Sequence, residues 1–119
     1  MKKLAVIALA IFALTIIIGC GKTELAWKNQ SGDGGMQDIR WVTEGANNQV
    51  WNSGTDLAVG TETEFKEVTK MTGQGECLNG LDQAAIIDFK RTDGSTGDGA
   101  LTLNEGSSEL IEVTALKKK

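Results

Sequence analysis

Residues 4–18 are apolar at every position except Thr15 and follow directly on Met1, Lys2 and Lys3. A basic start leading into an uncharged apolar run has the order of an export signal. As a helix these 15 residues would rise about 22 Å, short of the roughly 30 Å hydrocarbon layer of a bilayer, so a permanent transmembrane helix is the poorer reading. A buried core helix is poorer still, because a segment apolar on every side needs a large protein or a membrane around it.

Beyond residue 22 the period changes to two. Leu25 and Trp27 alternate with Glu24 and Lys28, which predicts a strand over 23–29. Residues 29–35 are Asn, Gln, Ser, Gly, Asp, Gly and Gly, and alternation resumes through Ile39, Trp41 and Val42. A first hairpin is predicted there. Residues 45–54 read as a polar loop carrying Val50 and Trp51, and a short apolar piece follows at 57–59.

Residues 61–71 admit two readings. Thr61 and Glu64 have the spacing of a capping box, with Phe65, Val68 and Met71 at helical intervals. Against a helix, the run is short and rich in Val and Thr, which favours a strand. Asn79-Gly80 is a strong hairpin signal. Residues 84–89 are the best central strand, 93–99 a glycine-rich loop, and 101–103 and 110–115 two further strands. Short strands with glycine turns between them, 15 glycines in all, predict an all-β fold, a small antiparallel β-sandwich or barrel.

At the end of the apolar run stand Ile17, Ile18, Gly19, Cys20 and Gly21. This segment resembles the lipobox of bacterial lipoproteins: Ile17 matches its aliphatic position, Gly19 the residue before the cut, and Cys20 the acceptor of diacylglycerol. Ile18 is bulkier than the usual choice at its position. The resemblance covers about the first 20 residues and implies attachment to a lipid bilayer through acyl chains on Cys20. Several such chains bind firmly where one binds only marginally. It implies a cleaved signal (1–19) and a lipidated N-terminus with a short tether (20–23); the residue pattern adds a β-sandwich domain (24–116) and a basic tail of Lys117, Lys118 and Lys119, read as solvated. The resemblance also implies a cell-envelope location, the outer membrane where the organism has two, since Gly21 is not the aspartate that retains lipoproteins at the inner one.

Charge and chemistry narrow the function. Without Lys2 and Lys3 the 12 basic residues fall to 10 against 16 acidic, a formal charge of −6, which disfavours nucleic acid as a partner. No histidine is present, so the usual histidine-dependent triads and dyads are excluded, and zinc has no imidazole ligand. Cys77 reads as a small, partly buried hydrophobe. Asp98, Gly99 and Glu105 fall at positions five, six and twelve of an EF-hand-like spacing, yet its first position is Gly94, without a side-chain oxygen. An ordinary Asp-Gly turn is the simpler reading of Asp93 and Asp98.

Of the three tryptophans, Trp27 and Trp41 lie in alternating runs and are expected in the core. Trp51, among Asn47, Asn48, Gln49, Asn52 and Ser53, is expected to be the most accessible and is the candidate contact for an envelope protein. The expectation is a non-enzymatic interaction or structural module without cofactor or metal. A calcium- or small-ligand-binding module and a small envelope enzyme or enzyme inhibitor are the alternatives.

Overall fold

A computed structural model describes residues 22–44 and 49–119. Among them run nine strands and no helix: β1 (Thr23–Asn29), β2 (Gln37–Val42), β3 (Gln49–Trp51), β4 (Lys66–Val68), β5 (Thr72–Leu78), β6 (Ala84–Lys90), β7 (Thr96–Asp98), β8 (Ala100–Thr102) and β9 (Ser108–Lys118). The all-β prediction holds. Of residues 61–71 none is helix: Lys66–Val68 is strand, and the Thr61 hydroxyl donates to Ala58 O instead of capping a helix.

The strands join one sheet in the order β3-β2-β5-β6-β9-β1-β4, with β7 added to β6 and β8 to β5. Every pair is antiparallel except β9 with β1, whose six paired positions from Ser108↔Glu24 to Val113↔Asn29 run parallel. The sheet rolls until its outer strands, β3 and β4, face each other. Side chains close this seam: Gln49 Nε2 donates to Glu67 O (2.8 Å), Lys66 Nζ to Val50 O (2.7 Å) and Trp51 Nε1 to Glu64 O (3.1 Å). Edges covered this way no longer offer a template for another chain. The result is a nearly closed barrel with a mixed sheet, not a purely antiparallel one.

Rolling turns all inward faces onto one core. Leu25 and Trp27 of β1, Ile39 and Trp41 of β2, Trp51 of β3, Ile87 and Phe89 of β6, and Ile111 and Val113 of β9 form a single buried cluster. The positions of β5 that face them are Gly73, Gly75 and Cys77. A Cβ on Gly75 would lie 2.7 Å from Cη2 of Trp27, one on Gly73 2.8 Å from Cε2 of Trp41, and one on Gly97 2.8 Å from Cζ of Phe89. Each of these glycines is a strand residue whose missing side chain is the space an aromatic ring occupies.

Four expectations are corrected. β1 and β2 form no hairpin, because both edges of β1 are taken by β9 and β4. Residues 29–35 instead cross the end of the barrel, held by Asn29. Its Nδ2 donates to Gly34 O and Leu57 O (2.8 Å each), its Oδ1 accepts from Ser31 N and Ser31 Oγ, and its backbone pairs with Gly60 and Thr61. Part of the glycine-rich loop 93–99 is strand β7, made possible by Gly97 under Phe89. Trp51 belongs to β3, not to a loop. The basic tail is largely the end of β9: Lys117 and Lys118 pair with Ile86 and Ala85, Lys117 Nζ reaches Asp98 (2.8 Å), and Lys119 Nζ reaches Glu76 (2.7 Å).

The Asn79-Gly80 signal finds the β5–β6 hairpin, but the turn is longer than two residues. Asn79 Oδ1 accepts from Leu81 N and Gln83 N, and positive φ falls on Asp82 (58°) rather than on Gly80.

Two substitutions test this packing. Gly75→Ala should lower unfolding stability by about 1–3 kcal/mol through overpacking against Trp27, whereas Gly32→Ala, with nothing within 4 Å, should stay within about 0.5 kcal/mol. Asn29→Ala leaves buried donors and acceptors unpaired and should cost about 3 kcal/mol. Asn29→Asp, which keeps the acceptor and loses both amide donations, should also destabilise. Urea melts of the four variants check both points.

Candidate functional site

The residues singled out by the sequence divide into three groups. Gly19 and Cys20, with the rest of the signal, lie outside the described residues. Trp27, Trp41 and Cys77 are buried, Trp27 fully. Asp93, Asp98 and Glu105 do not converge: Asp93 Oδ1 accepts from the amide and hydroxyl of Ser95 (2.9 and 2.6 Å), which holds its carboxyl below the usual range. Asp98 is likewise lowered, by Lys117. No three acidic or cysteine side chains among the described residues gather as a cation would require.

Trp51 is the main correction. Its side chain is 1% exposed and meets Trp27 edge to face, with ring centroids 5.8 Å apart and planes at 84°. The neighbouring Asn and Ser residues concealed a three-residue strand whose third position points inward. Trp51 and Trp41 donate their indole N–H groups to Glu64 O and Lys70 O. That of Trp27 has no hydrogen-bond partner among the described residues.

Cys77 offers no nucleophile near neutral pH. Burial first, and then the charge of Glu76, push its thiol up to about 12, so the reactive thiolate is scarce. Glu76 itself is engaged through both oxygens, by Gln74 Nε2 (2.8 Å) and Lys119 Nζ (2.7 Å). The depression beside it, lined by Asp38, Arg40, Glu76, Cys77, Leu78 and Ala84, holds about 190 Å³. It sets charges of both signs around a thiol that burial keeps protonated.

Sequence reasoning missed the pair Arg91–Glu109. Nε and Nη2 of Arg91 bond Oε2 and Oε1 of Glu109 (2.8 and 2.7 Å), and Nη1 donates to Thr102 O. The side chains are 18% and 8% exposed. A bidentate, partly buried pair of this kind fixes geometry, here locking the β6–β7 turn to β8 and the start of β9. The available signal was register: Glu109 alternates with Ile111 and Val113 on the inward face.

The two ends of the barrel differ. At one, Thr23 opens β1, and a depression of about 360 Å³ is lined by Thr43, Glu44, Lys70, Met71 and Thr72. At the other lie the 79–83 turn, with Leu81 77% exposed, and a depression of about 320 Å³ lined by Asp33, Asn79, Gly80, Leu81 and Leu116. No family model, curated protein or solved structure matches the chain.

With Trp51 in the core, Trp51→Ala should cost roughly 3–5 kcal/mol of stability. Acrylamide should leave its emission nearly unquenched in a single-tryptophan variant. A stable alanine variant or efficient quenching would return Trp51 to the surface.

Proposed function

We propose that this chain is a lipoprotein of the bacterial cell envelope, held to a membrane through acyl chains on Cys20, whose exported part is a non-enzymatic interaction or structural module. The observation that carries the reading is the order of the first 21 residues: Lys2 and Lys3, the apolar run 4–18, then Ile17-Ile18-Gly19-Cys20-Gly21 at its end. The pattern is specific because each part stands where the others require it. Cleavage after Gly19 makes Cys20 the new N-terminus, with its thiol free for a thioether and its amine for an acyl amide.

The domain supports this reading in two ways. Its first strand begins at Thr23, so an ordered module starts directly behind the acceptor cysteine. Cys77, the one cysteine among the described residues, is also buried in the core as a thiol, a packing role that needs no bond to the residue read as the lipid acceptor. The case for a module without chemistry rests on the missing histidine, the suppressed thiol and the engaged carboxylates of Glu76, Asp93, Asp98 and Glu109. In an organism with two membranes, Gly21 directs the reading to the outer one.

Cys20→Ala tests the anchor. Cells fed labelled palmitate should label the parent chain and not the variant, which should accumulate as the uncleaved precursor. Equal labelling of both chains would overturn the proposal.

A further inference from the structure

Resting on the lipoprotein reading, we propose that the barrel stands on the bilayer in one orientation, with the rim around Thr23, Lys70 and Glu105 against the lipid headgroups. The Leu81 rim then faces away.

The chain leaves the barrel at a fixed point. Thr23 is 3% exposed and pairs with Val68 of β4. Its Oγ1 accepts from Gly106 N (2.8 Å), and Glu24 N donates to Ser107 O (3.0 Å). β1 is also paired along its length with β9, so it does not unravel to lengthen the tether. Between Cys20 and Thr23 stand only Gly21 and Lys22. Three Cα steps reach at most about 11 Å, and the headgroup layer of one leaflet takes up roughly 5–7 Å of that. The rim that holds Thr23 therefore lies at or within the headgroups.

The make-up of this rim fits a polar interface. Lys70, Thr72, Asn104 and Glu105 are exposed, and Met71 is half-buried in the mouth between them. Lys22 and Lys70 place ammonium groups where lipid phosphates lie. The exposed large hydrophobic residues among those described are Val59, Phe65 and Leu81, and none of them is on this rim, so the barrel rests on the headgroups without inserting. The opposite rim is separated by the length of β1, about 20 Å along the strand, and is marked by Leu81 on a turn ordered by Asn79.

The test uses the full chain, processed and purified from the cells that make it, in phosphatidylcholine vesicles carrying a headgroup-attached spin label. Glu105→Cys and Lys70→Cys place a fluorophore on the Thr23 rim, and Leu81→Cys places one on the opposite rim. All three side chains are exposed and make no hydrogen bond that the fold depends on. Buried Cys77 and acylated Cys20 leave the introduced thiol as the site of labelling.

Quenching several-fold stronger at positions 105 and 70 than at 81 is expected. Equal or reversed quenching, in protein that floats with the vesicles and carries the mass of the lipid, would overturn the orientation alone. Protein that lacks that mass or does not float would overturn the lipoprotein reading and the orientation with it.

Discussion

Three tryptophans have to fit inside one small barrel, and the strand facing them is glycine where they press hardest. Trp27 and Trp51 meet edge to face at 5.8 Å, an arrangement that adds about 0.5–1.5 kcal/mol beyond the area buried. It requires the ring of Trp27 to lie over the backbone at Gly75, and Trp41 does the same at Gly73. Large residues on β1, β2 and β3 and small ones on β5 are thus one feature. Interiors packed at crystal-like density respond to a single added methyl group, so the positions of these glycines set how closely β5 approaches the rings.

A second constraint is polar. Asn29 sits on the inward register of β1 after Leu25 and Trp27, and Glu109 on the inward register of β9 before Ile111 and Val113. A polar group buried at such a position is tolerated only when its hydrogen bonds are met. Asn29 bonds through both ends of its amide and carries the chain across the barrel end. Glu109 takes Nε and Nη2 of Arg91, one on each carboxylate oxygen. Side chains do comparable work at the seam between β3 and β4, where the edges meet through Gln49, Lys66 and Trp51 rather than through a backbone ladder.

These constraints explain how much was legible in the sequence. β1, β6 and β9 alternate or carry apolar runs, and their existence could be read directly. β5 and β7 could not, because Gly73, Gly75 and Gly97 look like turn residues until it is known which ring lies over each of them. Trp51 was misjudged for a related reason: three residues between polar stretches are too few to show a period. Strand direction and partner choice were also hidden, since periodicity records which face is buried and not which strand lies alongside. The first hairpin therefore failed and the parallel β9–β1 pair went unforeseen. Glu109 was legible in principle, as a charge on an apolar register, whereas the partner of that charge, 18 residues away in sequence, was not.

The parallel pair bears on more than topology. β1 lies between β9, the last strand, and β4, so the sheet cannot close until Ser108–Lys118 is in place. Pairing the two ends of the domain in this way is non-local and slow to form, but it leaves the entry of the chain clamped from both sides at Thr23. On the proposal of a lipid anchor at Cys20, a strand clamped there gives the short tether a firm origin, and the length of that tether then decides how far the barrel stands from the bilayer.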